Sequence, residues 1–145
     1  MQAVCGCATV RGMLAVAVAA FVLSSPAFAP GEPMPARYTC DGRDTSPPLR
    51  WTAPPRGTAS LALTVTDPDA PGGTFVHWRL TGIPASARTL PAGSHAGGRN
   101  SFGKTGYGGP CPPRGQAHRY VFVLRALGRS GTVLATARLV GTYAR

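Results

Sequence analysis

The chain has 145 residues, 43% of them hydrophobic, and a formal net charge of +10. That is one domain's worth of chain, long enough to bury its own core and too apolar for a disordered coil. Fourteen of the 15 basic residues are arginines spread from Arg11 to Arg145 with no run of three, and no helix-turn-helix, zinc-finger or aromatic RNA-binding pattern accompanies them. The composition therefore excludes a specific nucleic-acid reader and leaves only weak, salt-sensitive association with polyanions.

The chain opens with an apolar, uncharged run over 12–23, preceded by Arg11 and followed by Ala27-Phe28-Ala29, which has the small-x-small form of a signal peptidase site. The run is short for a membrane span, so it reads as a secretory leader over 1–24 ahead of a single domain over 25–145. A leader implies a periplasmic or secreted protein. The alternatives are a cytoplasmic chain, or one tethered to a membrane by an uncleaved leader. Cys5 and Cys7 fall in the leader; Cys40 and Cys111 are left as an even pair. In an oxidising compartment those two could form a disulfide; in cytosol two unrelated thiols is the better reading.

Pro30 to Arg37 is proline-rich and extended. Asp41-Gly42 and Ser46-Pro47-Pro48 are turn signals, and Leu49 to Trp51 is a short strand. Ser60 to Thr66 alternates, with Leu61, Leu63 and Val65 on one face, and stops at Asp67-Pro68. Phe75 to Ile83 is the next strand, closed by Pro84. Arg88 to Gly98 reads as a loop, and Asn100 to Gly115 is the densest Gly/Pro stretch. His118 to Leu127 carries Tyr120, Phe122 and Leu124 on one face and Val121 and Val123 on the other, as a central strand does. Gly128 to Gly131 is a tight turn, and Val133 to Tyr143 is the last strand. No window after the leader is a good amphipathic helix. The expected fold is all-β, with two packed antiparallel sheets.

Only five acids are present, and Asp67 and Asp69 fall two apart in Thr66-Asp67-Pro68-Asp69-Ala70-Pro71. His77-Trp78 follows on the next strand. His118 and Tyr120 share one strand face after Gly106-Tyr107-Gly108-Gly109-Pro110-Cys111-Pro112-Pro113. Imidazole and phenol groups at strand ends can donate to anionic oxygens, and an aspartate beside a histidine fixes its tautomer. Each residue also has a plainer reading: the aspartates as turn caps, His77 as a satisfied core histidine. His95, in a Gly-rich loop, reads as exposed. No Gly-x-Ser-x-Gly elbow, His-Glu-x-x-His helix or P-loop occurs.

These motifs, with Tyr38-Thr39-Cys40-Asp41-Gly42, Ser46 to Leu49, Trp51, Asn100, Phe102-Gly103-Lys104 and Gly141-Thr142-Tyr143, resemble the phosphatidylethanolamine-binding protein family in its bacterial Raf-kinase-inhibitor-like branch. The resemblance runs from about Ser25 to Arg145. It implies a sandwich-like antiparallel fold and a non-enzymatic binding protein for a small phosphorylated or otherwise anionic ligand. Asp67, Asp69, His77, Pro112, His118 and Tyr120 would line its pocket, with backbone N–H groups of Gly108 and Gly109 forming a small anion nest. No cofactor or metal is implied; an inhibitor-like role toward an unidentified protein partner is. The competing classes are a small hydrolase using a His/Asp pair and a protein–protein module built on the Pro/Gly loops. Two features depart from the family pattern. The segment, including a helix, that the family places before the last strand is replaced by Gly128-Arg129-Ser130-Gly131. Ser25 to Phe28 also resembles the family's own first strand, which cleavage after Ala29 would remove.

Overall fold

The computed structural model describes Gly12 and residues 19–145. Most of the segment read as a leader, with Cys5 and Cys7, lies outside the described residues. Seven strands are present among those described: β1 (Leu23–Ser24), β2 (Leu49–Trp51), β3 (Ser60–Asp67), β4 (Phe75–Pro84), β5 (Thr89–Leu90), β6 (Ala117–Leu127) and β7 (Val133–Ala144). The one helical element among the described residues is a 3₁₀ turn over Ala36–Tyr38. None of the described helices is long and apolar enough to cross a membrane. The strands form two antiparallel sheets, ordered β1-β2-β5 and β4-β3-β6-β7.

The alternation in β3 decides which sheet face is inside. Leu61, Leu63 and Val65 are almost fully buried while their neighbours are half-exposed. β6 lies between β3 and β7, so both of its edges are paired, and both faces are covered at its centre: Tyr120, Phe122 and Leu124 point inward, and Val121 and Val123 are buried on the outer side. The small sheet closes the core from the other side with Leu23, Leu49 and Trp51. Trp51 Nε1–H donates to the Ala87 carbonyl at 2.9 Å, so the indole is buried without an orphaned donor. β6 and β7 form a direct hairpin through Gly128, whose N–H donates to Thr132 O at 2.9 Å, and no helix intervenes.

Two short strands depart from the sequence expectation. β5 lies in a segment read as loop; two residues are too few to show a period of two. β1 lies at Leu23–Ser24, inside the segment drawn as leader, and Ser25 to Phe28 is not a strand. Pro26 has no N–H for a ladder, and Ser25 Oγ both donates to Pro48 O (2.7 Å) and accepts the Ala27 N–H (3.1 Å), turning the chain.

The segment after this turn is packed into the fold. Phe28 and Met34 are buried in the core, and the Phe28 ring meets Phe122 at 5.8 Å. The chain here runs beside β7, with Gly31 N–H donating to Val140 O and Met34 N–H to Thr142 O. Gly141 makes this approach possible: a Cβ there would lie 2.6 Å from Met34 Cγ and 2.9 Å from Phe28 Cε2. The Ala27–Ala29 motif thus sits within the folded unit, and a chain cut after Ala29 would lack β1 and Phe28.

Candidate functional site

One end of the large sheet collects the chemistry. β3 ends on Asp67, β4 begins with Phe75 and His77, and β6 begins with His118. Because β3 lies between β4 and β6, these inward-facing side chains converge. A cleft of about 220 Å³ opens there, lined by Asp67, Ala70, Pro71, Phe75, His77, Phe102, Cys111, Pro112, Pro113 and His118. Its floor is polar and its rim apolar.

Asp67 and His118 form a buried pair: Nδ1–H of His118 donates to Asp67 Oδ2 at 2.7 Å, and each residue is 4% exposed. The other carboxylate oxygen accepts the Asp69 N–H at 2.8 Å. On the far side of the His118 ring, Nε2 faces the exposed Gln116 side-chain amide at 2.8 Å. His77 is fixed differently. Its Nδ1–H donates to Gly108 O at 2.7 Å, and the Gly108 N–H returns a bond to His77 O at 2.9 Å. Burial holds the His77 imidazolium below the ordinary histidine range, against the opposing pull of the Gly108 carbonyl and Asp67. With Nδ1 engaged, Nε2 is the His77 ring atom left for a ligand. Phe75, Phe102 and Tyr120 surround this ring at centroid distances of 5.0, 5.4 and 5.2 Å.

Of the six residues expected at the pocket, Asp67, His77, Pro112 and His118 line it. Tyr120 lies beneath rather than on the lining. It is fully buried, and its hydroxyl has no hydrogen-bond partner. Burial, and then the Asp67 charge, push its phenol well above the usual range, so it stays a neutral donor. Asp69 points away: its carboxylate takes the Arg119 N–H (2.9 Å), Nε–H (3.0 Å) and Nη2–H (2.8 Å). The Gly108–Gly109 nest does not form, because Gly108 N–H is bonded to His77 O and Gly109 N–H donates to Asp44 Oδ1 at 2.7 Å. Asp44 adopts φ 56° to make that contact, a conformation Asp tolerates better than most residues.

Several contributors carried weaker sequence signals. Phe75 was legible, two residues before His77 on one strand face. Phe102 sits in a loop with no period to expose it. Asn100, which organises that loop, accepts the Phe102 and Lys104 N–H groups and donates to Gly106 O. Cys40 and Cys111 are disulfide-bonded, with Cα atoms 5.4 Å apart, so one pocket wall is tied covalently to the Asp41 loop.

The Asp69–Arg119 contact gives a pH prediction. Arg119's side-chain and backbone hydrogen bonds lower the Asp69 carboxyl to about 2, against about 3.9 when unfolded. A depressed native value means the contribution is present above pH ~4 and fades as pH falls toward 2. Side-chain exposures of 61% for Arg119 and 30% for Asp69 keep it small. Urea midpoints of wild type and Asp69→Asn should differ at neutral pH and converge by about pH 2. A gap of unchanged size at that pH would assign the effect to something other than this charge.

The comparisons with known proteins bear on family and fold. The model of the family described as "Phosphatidylethanolamine-binding protein" matches residues 24–144. The chain is 40% identical to the UPF0098 protein of Aquifex aeolicus over 148 residues, covering 83% of this chain and 86% of that protein. It is 44% identical over 143 residues to the putative lipoprotein LppC of Mycobacterium tuberculosis, covering 83% of this chain and 71% of that one. Both alignments are longer than the part of this chain they use, so each relative carries residues with no counterpart here. Among solved structures, Escherichia coli YbcL superposes with a TM-score of 0.81 at 32% identity, covering 88% of this chain and 99% of that chain. A putative phosphatidylethanolamine-binding protein homolog of Chlamydia trachomatis gives 0.80 at 36% identity, covering 87% and 98%.

Proposed function

The chain belongs to the phosphatidylethanolamine-binding protein family, and from that premise we propose that it is a non-enzymatic binding protein whose cleft takes a small phosphorylated head group of the phosphoethanolamine type. The observation that carries this reading is the convergence of Asp67, His77 and His118 on one apolar-rimmed cleft. The His77 ring, once Nε2 is protonated, suits a phosphate oxygen. The Asp67 charge and the faces of Phe75 and Phe102 suit the ammonium end. No arginine or lysine lines the cleft, which favours a ligand of mixed charge over a bare anion. The lining has no hydroxyl, and its one sulfur is in a disulfide. It therefore offers no hydroxyl or thiol nucleophile, which supports binding over hydrolysis. The disulfide and the kinship with a protein named as a putative lipoprotein support placement outside the cytosol, with an inhibitor-like role toward a protein partner as a secondary reading.

Calorimetry with phosphoethanolamine tests the cleft. Wild type should bind, and His118→Ala should bind at least ~tenfold more weakly, because Asp67 loses the partner that fixes its carboxylate in the cleft. Wild-type affinity should rise as pH drops below the usual histidine range, because His77 gains a second donor only there. Equal binding by both proteins excludes this cleft, and turnover of a phosphoester or carboxyl ester lost with His118 would replace binding by catalysis.

A further inference from the structure

Four large hydrophobic side chains are exposed among the described residues: Val22 (48%), Phe102 (44%), Val133 (50%) and Leu134 (42%). Phe102 belongs to the ligand cleft. The other three gather at the opposite end of the molecule. Val22 is joined to Thr52 by the Thr52 N–H to Val22 O bond (3.1 Å), at the start of the β2–β3 loop. Val133 and Leu134 open β7, beside that loop. Between them lies a groove of about 440 Å³ lined by Phe21, Ala53, Pro54, Pro55, Leu134 and Ala135.

Two exposed arginines flank the groove. Arg56 lies in the β2–β3 loop and Arg129 in the β6–β7 turn, and a Cβ added at their neighbours Gly57 and Gly128 would touch Leu134 at 3.8 and 3.7 Å. None of the chain's five acids falls in residues 19–23, 52–60 or 127–135, which build this end. Ala19 also lines the groove, so the described part of the apolar run, from residue 19 on, packs at this edge.

We infer that this end is a docking surface for an anionic lipid bilayer. Val22, Val133 and Leu134 enter the boundary between head groups and acyl chains, while Arg56 and Arg129 meet lipid phosphates. The apolar content separates this surface from a polynucleotide track, which needs a basic groove and stacking aromatics. The unbalanced positive charge opposes a second copy of the chain. The tight β6–β7 turn leaves Leu134 uncovered beside the β2–β3 loop.

The docked orientation restricts the ligand. β6 (Ala117–Leu127) carries His118 at the cleft and Leu127 at the apolar end, a span of roughly 30 Å. The cleft opens away from the bilayer and takes a water-borne head-group compound rather than a lipid of the membrane it rests on. This last step rests on the proposed function of the cleft; the docking surface does not.

Flotation of the full chain on vesicles tests the surface, with phosphatidylcholine alone against equal parts phosphatidylcholine and phosphatidylglycerol. Wild type should float with the anionic vesicles. Leu134→Asp should bind at least ~tenfold more weakly. Arg56→Glu with Arg129→Glu should lose a similar factor on anionic vesicles and nothing on phosphatidylcholine. Wild-type far-UV spectra and urea midpoints in both variants establish that they are folded. Wild-type flotation by both variants overturns the proposal. So does binding to DNA without binding to vesicles, or a wild-type dimer that Leu134→Asp dissolves. In a second arm, the vesicle-bound protein should titrate with phosphoethanolamine at its solution affinity. A cleft masked only on vesicles overturns the orientation. Failure of the free protein to bind phosphoethanolamine sinks the cleft reading alone and leaves flotation to judge the surface.

Discussion

Replacing Cys40 and Cys111 together by serine is expected to lower the melting temperature by ~15 °C. The disulfide joins residues 71 positions apart. Closing a loop of that size removes about 4 kcal/mol of unfolded-state entropy, and a domain of this length loses roughly 4 °C per kcal/mol. The native contacts do not replace that term. Residues 91–116 contain no strand, only an isolated bridge between Arg99 and Thr105, so the chain around Cys111 is not held by a ladder. What remains is a set of single bonds: Cys40 N–H to Pro110 O (3.1 Å), Tyr107 hydroxyl to Tyr38 O (2.7 Å) and Gly109 N–H to Asp44 Oδ1 (2.7 Å). Those bonds still place the Cys111–Pro113 wall once the protein has folded. The affinity for phosphoethanolamine at 25 °C should therefore fall only a few-fold while stability falls steeply. Differential scanning calorimetry of the double variant and of the reduced wild type should give coincident curves. A double variant that melts within ~2 °C of the oxidised wild type would show that the unfolded chain gains little freedom from the cut.

Legibility in the sequence followed the length of the regular segments. The alternation of Leu61, Leu63 and Val65 and the doubly apolar pattern of β6 are long enough to fix face and centrality, and burial follows them. Two-residue strands carry no such signal, which is why β5 was hidden in a loop and β1 in an apolar run. The convergence of Asp67, His77 and His118 on one cleft was readable because they stand at strand ends whose inner face the core pattern determines. Asp69 was not, because one local bond redirects it: its N–H caps the Asp67 carboxylate, the chain turns, and its own carboxylate meets Arg119 outside. Tyr120 shares a face with His118, but two residues further along β6 that face lies under the His77 ring. A period of two gives direction, not depth. The glycine nest failed for a related reason, since the two N–H groups had partners, His77 O and Asp44, brought in by other segments.

Asp67→Ala is expected to produce the largest loss at the cleft. The substitution removes the acceptor for two donors at once, the His118 Nδ1–H and the Asp69 N–H. Both Asp67 and His118 are 4% exposed, so water does not readily replace the carboxylate. Breaking a buried pair from one side costs about 3–5 kcal/mol, and with the ring no longer oriented phosphoethanolamine binding should become undetectable. Asp67→Asn separates the two roles. Its side-chain oxygen can still accept the Asp69 N–H, so the turn survives. Its NH₂ would then confront the His118 Nδ1–H, and the clash is relieved when the ring proton moves to Nε2, where the Gln116 amide can accept it. The Asn variant should therefore recover much of the stability and little of the affinity, with the tautomer change visible in the imidazole ¹⁵N shifts. Asp67→Ala combined with His118→Ala should cost less than the two singles added together, because the second removal no longer strands a partner. Strict additivity, or a loss below ~1 kcal/mol for Asp67→Ala, would mean that the pair neither holds the end of β3 against the start of β6 nor organises the cleft.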